Sequence, residues 1–204
     1  VLGVGSYALS RKGAIVKRLR AAETLGTITV IATDKTGTIT ENKMRVEHFY
    51  FDGAVHSIGE FGENEKAALR TALLASDAIR DTNTSVLVNP MAKAIMQLLK
   101  QDNIDVQALS KDWILKDELS FDVKRKLASY VYQFGKSHIS LSSGAPEKIL
   151  ESSDKILLRG EEVQLNDAIR VEVFSTIAQM AHNGERLMAF GYHRLSSDSA
   201  KESI

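Results

Sequence analysis

The segment Asp34-Lys35-Thr36-Gly37-Thr38-Ile39-Thr40 gathers in consecutive positions the groups that phosphoryl transfer requires. Asp34 is a carboxylate able to attack phosphorus in line, dividing one difficult hydrolysis into phosphorylation and dephosphorylation. Gly37 lets backbone amides come close to phosphate oxygens. Thr36 and Thr38 offer hydroxyl and amide donors, and Lys35 adds positive charge where negative charge develops. Position 36 narrows the chemistry. A carboxyl group there would protonate a leaving group and activate water, and a threonine hydroxyl does neither job well. An aspartyl-phosphate at Asp34 is therefore expected to live long enough to be coupled to another process.

Such a carboxylate needs a rigid support. Residues 27–33, Thr-Ile-Thr-Val-Ile-Ala-Thr, are β-branched and almost uninterrupted, which predicts a strand buried on both faces, as in a parallel sheet. Asp34 then falls at the carboxyl end of that strand, the edge where open α/β sheets bind ligands. After Asn42 the texture changes to antiparallel β with intervening helices. Strands are expected over 45–51 and 54–58 about an Asp52-Gly53 turn, and helices over 64–75 and from Asn89-Pro90 to Leu99. Further strands are expected at 113–119, 126–133 and 138–142, with a hairpin turning at Arg159-Gly160. Asn166 is placed to cap a helix over 167–182 that Gly184 ends, before a last strand over 187–192. A boundary is expected near 40–44, between one strand of an α/β sheet and a self-contained antiparallel α+β domain.

Composition limits the partners. The 204 residues balance 26 Lys+Arg against 26 Asp+Glu, so no net field points to nucleic acid, and any nucleotide must be held by local contacts. The absence of Cys removes disulfides, thiolate metal sites and a cysteine nucleophile. No apolar run of spanning length occurs. The apolar start Val1 to Leu9, followed by Arg11-Lys12 and Lys17-Arg18-Leu19-Arg20, suits either the cytoplasmic end of a membrane helix or a buried helix of a soluble domain. His48, His56, His138, His182 and His193 lack close ligand spacing and read as surface or strand-face residues. Trp113 reads as a sheet-packing residue, and the polar tail 196–204 as a loose end.

The segment beginning at Asp34 resembles the phosphorylation signature of the P-type ATPases, and similarity extends over essentially the whole chain. Ala14-Ile15-Val16 through Glu23-Thr24-Leu25-Gly26 resembles the family's link from its fourth membrane helix to the phosphorylation domain. The resemblance implies an α/β plus α+β fold, with a partial Rossmann-like phosphorylation domain of haloacid dehalogenase type followed by an antiparallel-sheet nucleotide-binding domain flanked by helices. The implied divisions are a helix end and linker over 1–22, the start of the phosphorylation domain over 23–43, the nucleotide-binding domain over 44–194 and a return linker over 195–204.

Glu118-Leu119-Ser120-Phe121-Asp122-Val123-Lys124-Arg125-Lys126 is similar to the family segment whose Phe stacks on adenine and whose last Lys lies along the nucleotide. The resemblance gives those roles to Phe121 and Lys126. Pattern alone also accommodates Phe121 as a core aromatic beside a solvated basic run. Ser143-Gly144-Ala145-Pro146-Glu147 resembles the family's Lys-Gly-Ala-Pro-Glu, with Ser143 replacing the Lys. Small residues at 144 and 145 would let an adenine ring approach the backbone. Gly184-Glu185-Arg186-Leu187-Met188-Ala189 matches the strand whose Arg contacts phosphates, although Arg186 also reads as a surface arginine at a turn. Around Asn89-Pro90-Met91-Ala92, Ala92 stands where many members carry a Glu that meets the adenine amino group. With Ser143 and Ala92 in place, nucleotide binding is expected to be weaker than the family norm.

The resemblance further implies ATP and Mg²⁺ as cofactors, with the metal at Asp34 and Thr36 completed by a carboxylate from a Gly-Asp-Gly-Val-Asn-Asp run that this sequence does not contain. It implies ATP-driven cation transport, a transported cation and the remaining phosphorylation, actuator and membrane domains as partners, no nucleic acid, and a cytoplasmic position on an integral membrane protein. The chain alone is then expected to bind nucleotide with little turnover. Two other readings are a soluble phosphohydrolase of haloacid dehalogenase type, which Thr36 disfavours, and a nucleotide-binding module without catalysis.

Overall fold

The computed structural model describes residues 2–18, 23–59, 61–76, 90–101, 103–105 and 111–195. The chain divides into two compact units, Val1–Lys43 and Met44–Ile204.

In the first unit, helix α1 (Leu2–Arg11) ends where Gly13 takes a left-handed φ of 81° and its amide closes on the Ser10 carbonyl at 3.0 Å. Its ten residues extend about 15 Å at 1.5 Å per residue. Among the described residues no helix is long and apolar enough to cross a membrane. The strand expected over 27–33 does not form. Those residues run irregularly, with Val30 81% and Ile31 76% exposed. β-branched side chains favour extended backbone only where a neighbouring strand takes the amides and carbonyls, and the described part of this unit contains no strand to pair with. The Rossmann-like sheet expected here is therefore absent from the described residues.

The second unit is built on a four-stranded antiparallel sheet in the order β3-β4-β5-β8. Its strands are β3 (Trp113–Asp122), β4 (Leu127–Phe134), β5 (Ser137–Gly144) and β8 (Ala189–Leu195). One face carries Ala128, Tyr130, Tyr132 and Leu141, packed with Leu74 and Ala75 at the end of helix α2 (Glu63–Leu74). The buried Tyr132 hydroxyl donates to the Leu74 carbonyl at 2.9 Å, so the ring fills the core without stranding its polar end. Trp113 stacks on Phe134 with ring centres 4.9 Å apart, which agrees with a sheet-packing role.

Helix α2 packs on α3 (Pro90–Gln101) through Leu69, Leu73, Ala92, Ile95 and Leu99. A third cluster joins Leu150 of α4 (Pro146–Glu151) to Leu165 and to Val173 of α5 (Asp167–His182). Helix α5 starts as its sequence predicts, with Asn166 Oδ1 accepting from the Ile169 amide at 2.9 Å. Asn89, the expected cap of α3, lies outside the described residues.

Two hairpins complete the unit: β1 (His48–Phe51) with β2 (Ala54–Ser57), and β6 (Lys155–Leu158) with β7 (Glu161–Gln164). Both turn on residue pairs with positive φ, Asp52-Gly53 at 54° and 80° and Arg159-Gly160 at 53° and 80°. These are the mirror-image turns that match strand twist. Strand β3 runs farther than the expected 113–119, β8 is displaced from 187–192, and the short α4 has no counterpart in the expected pattern. The length of β3 follows from a bulge that lets the strand continue past a break in register.

Candidate functional site

Asp34, Lys35, Thr36, Gly37 and Thr38 are all exposed. They lie on a tight turn in which the Ile39 and Thr40 amides both donate to the Lys35 carbonyl, at 3.0 and 3.1 Å. Gly37 supports it with a φ of 75°, and its amide donates to Thr40 Oγ1 at 3.4 Å. The turn presents a carboxylate, two hydroxyls and an ammonium to solvent. Asp34 and Thr36 can offer a cation one carboxylate, one hydroxyl and their backbone carbonyls. Among the described residues no group of three or more His, Cys, Asp or Glu side chains is arranged to hold a metal ion. This donor set fits a Mg²⁺ that keeps waters and rides on phosphates, and does not fit an all-protein cage.

A second candidate region forms at one end of the four-stranded sheet, where register brings distant sequence together. Leu127 pairs with Gly144, and Gly144 with Ala189, so the β3–β4 turn, the β5–α4 junction and the start of β8 share one row. Between Leu119↔Ser129 and Asp122↔Leu127 two β3 residues, Ser120 and Phe121, oppose Ala128 alone. This bulge re-aims the strand, and Phe121 is 61% exposed, which removes the core-aromatic reading.

Lys126 sits five residues on, with a φ of 58° and its amide donating to the Asp122 carbonyl at 2.7 Å. A left-handed non-glycine residue costs roughly 1–2 kcal/mol, so the turn keeps a lysine where glycine would be unstrained. Its Nζ lies 4.0 Å from Glu147 Oε1. The neighbouring Arg125 turns back on β3, its guanidinium donating to the Ser120 carbonyl at 3.4 Å.

The Gly144 position differs from its sequence reading. A Cβ there would stand 2.2 Å from the Lys126 carbonyl oxygen and 3.0 Å from Leu127 Cα, so the glycine admits the chain's own backbone rather than leaving room for a ring. The same carbonyl accepts from the Ala145 amide at 3.1 Å. Ser143 is buried between Ala128 and Phe190 in register, on the face that alternation shares with Leu141. Ala92 is wholly buried in the α2–α3 core. Arg186 is exposed, three residues before β8. The adjacent Glu185 meets His48 Nδ1 of β1 at 3.2 Å, a pairing that sequence spacing does not show.

Sequence reasoning assigned no role to Glu147, although the Pro-Glu pair after Ala145 is the start signal of a helix and would have placed a carboxylate in its first turn.

Known proteins are similar to most of this chain. The family model described as P-type ATPase, cytoplasmic domain N, matches residues 64–204. A calcium-transporting ATPase of Listeria monocytogenes is 31% identical over 98% of this chain and 23% of its own length. Calcium-transporting ATPase 1 of Bacillus cereus is 30% identical, also over 98% of this chain and 23% of its own. The human sodium/potassium-transporting ATPase subunit alpha-4 is 28% identical over 95% of this chain and 21% of its own. The chain thus spans less than a quarter of the length of these relatives.

Proposed function

Because the chain belongs to the P-type cation-transporting ATPases, we propose that it receives ATP on its second unit and carries, at Asp34, the carboxylate phosphorylated in ATP-driven cation transport. The reading is supported most by the sheet end that gathers an exposed aromatic face at Phe121 with an exposed ammonium at Lys126. An aromatic face receives a base by stacking, and an ammonium receives phosphate as a point charge. Arg186 adds a guanidinium for phosphate oxygens. Ser143, buried one row away, and Ala145, just past the end of β5, add no charge, which is in keeping with modest affinity.

In the phosphoryl-transfer step a carboxylate oxygen of Asp34 forms a bond to the γ-phosphorus, and the bond from that phosphorus to the β–γ bridging oxygen breaks. ADP leaves with the electron pair. Lys35 and the hydroxyls of Thr36 and Thr38 offset the charge on the transferring group, and Mg²⁺ bound with the nucleotide supplies further charge neutralisation. Threonine at 36 leaves the acyl-phosphate without a neighbouring general base, which favours coupling over immediate hydrolysis. The domain division at 44–194, the cytoplasmic placement on a membrane protein and the actuator and membrane partners belong to the same reading.

Two measurements test it. Calorimetric titration of the 204-residue chain with ATP is expected to show saturable binding that is weakened by Phe121→Ala. Base–aromatic stacking of about 1–3 kcal/mol corresponds to a loss of roughly five- to 150-fold. Acid-stable labelling from γ-phosphate-labelled ATP, carried out on the full-length transporter, is expected to vanish in Asp34→Asn. Labelling that survives the substitution excludes Asp34 as the acceptor.

A further inference from the structure

We propose that Glu147 is the counter-charge that holds Lys126 when no phosphate is present, and that it thereby sets how strongly this sheet end discriminates phosphorylated nucleotides from nucleosides. The inference rests on the reading of Phe121 and Lys126 as a nucleotide site.

The backbone fixes the two residues relative to each other. The Lys126 carbonyl accepts from the Ala145 amide at 3.1 Å and fits against Gly144 only because that residue has no Cβ. Glu147 follows two residues later in the first turn of α4. The β3–β4 turn and the β5–α4 junction are therefore joined through backbone, which places Lys126 and Glu147 on adjoining segments. Of the neighbouring cations, the Arg125 guanidinium is engaged by the Ser120 carbonyl and Lys148 by Glu151 at 2.7 Å, with Glu147 adding to the negative charge around Lys148.

At 4.0 Å the Lys126 and Glu147 side chains, 57% and 43% exposed, form a charge pair beyond hydrogen-bond length. Such a pair attracts weakly in water. A polyphosphate brings more negative charge and can approach to hydrogen-bond distance, so it displaces the carboxylate at a small cost. Adenosine, lacking phosphate, has no reason to disturb it. Glu147 thus lowers affinity for ATP while leaving affinity for adenosine alone, and a residue serving only the fold would affect both ligands alike.

The test titrates the whole 204-residue chain with ATP and with adenosine. Glu147→Gln is expected to tighten ATP binding about two- to fivefold, the span of an exposed ion pair, with adenosine unchanged and the urea midpoint preserved. In a Lys126→Gln background the same substitution is expected to have a smaller effect, because the pair is already broken. Raising the salt concentration is expected to shrink the difference. Unchanged or weaker ATP binding in Glu147→Gln overturns the proposal. So does a parallel change for adenosine, or an equal gain in both backgrounds. A chain that binds neither ATP nor adenosine sinks the nucleotide reading itself and this inference with it, whereas a chain that binds both normally but ignores position 147 sinks only the inference.

Discussion

The two units treat their apolar residues in opposite ways. In Met44–Ile204, Leu73, Leu74, Leu99 and Leu141 are almost wholly withdrawn from water, each worth roughly 1.5–3 kcal/mol of burial. In Val1–Lys43, Val4, Ile15, Val30 and Ile31 are each at least 74% exposed. Hydrogen bonding divides the same way. Among the described residues the first unit's bonds are local, such as Gly26 to Glu23 and Ile39 to Lys35, while the second is knit by ladders and by links such as Tyr132 to Leu74. The residues suited to forming a covalent bond thus lie in a unit that buries little, and the residues suited to recognition lie in one that buries much. Recognition needs a preorganised surface from the moment a ligand arrives. In-line attack by Asp34 needs rigidity as well, and residues 27–33, whose pattern predicts that support, have no partner strand among the described residues.

The sharpest way to break this contrast is to reduce the apolar character of one side chain in each unit. Leu99→Ala is expected to destabilise the second unit by about 2–5 kcal/mol, as for other fully buried leucines. Val30→Thr in the first is expected to stay within about 0.5 kcal/mol. Urea unfolding followed by the single Trp113, which lies in the second unit's sheet, checks the first variant, and amide exchange over residues 27–33 checks the second. A large loss from Val30→Thr would show that the first unit buries that side chain after all.

A smaller effect sharpens the contrast inside the second unit, between residues kept for the fold and residues kept for a ligand. Lys126 holds a φ of 58°. Lys126→Gly relieves that conformation and is expected to raise stability by up to about 1 kcal/mol, while ATP affinity falls. Opposite signs in the two measurements would mark the lysine as retained for its ammonium. Loss of both would mean that its aliphatic stem supports the turn.

Much of the second unit was legible because its signals are local. Asn166 as cap and Gly184 as stop give α5 its limits, and Asp52-Gly53 and Arg159-Gly160 name their turns. What failed depends on partners far away in sequence. Residues 27–33 are rich in strand formers and have no strand beside them among the described residues. The bulge at Ser120-Phe121 exists only because Ala128 lies opposite. Helix α4 has six residues, too few for an apolar period to show. At the site, the resemblance could name Phe121, Lys126 and Gly144, but it could not tell that Gly144 makes room for the Lys126 carbonyl, that Ala92 and Ser143 are buried, or that Glu147 faces Lys126. Those facts arise from strand register, which no single segment contains.

The smallest expected effect concerns the attachment of the β6–β7 hairpin to the sheet. Glu162 accepts from the Tyr192 hydroxyl at 2.8 Å, from Arg194 and from Lys155 at 3.2 Å. These bonds, that from Tyr192 first, pull its carboxyl from 4.5 down to about 2. Because the folded value lies below the unfolded one, the contribution of Glu162 is fully present above about pH 4.5 and is lost as pH falls toward 2. The carboxylate is partly open to solvent, at 30% exposure, so screening keeps the stabilisation small. Glu162→Gln is expected to flatten that part of the stability–pH curve by lowering the neutral-pH midpoint slightly while leaving stability near pH 2 unchanged, with amide exchange in β6 and β7 rising before exchange in β4. Equal rises in β4 and β6 would mean that the hairpin and the sheet open as one cooperative body, and that the Glu162 contacts are not what joins them.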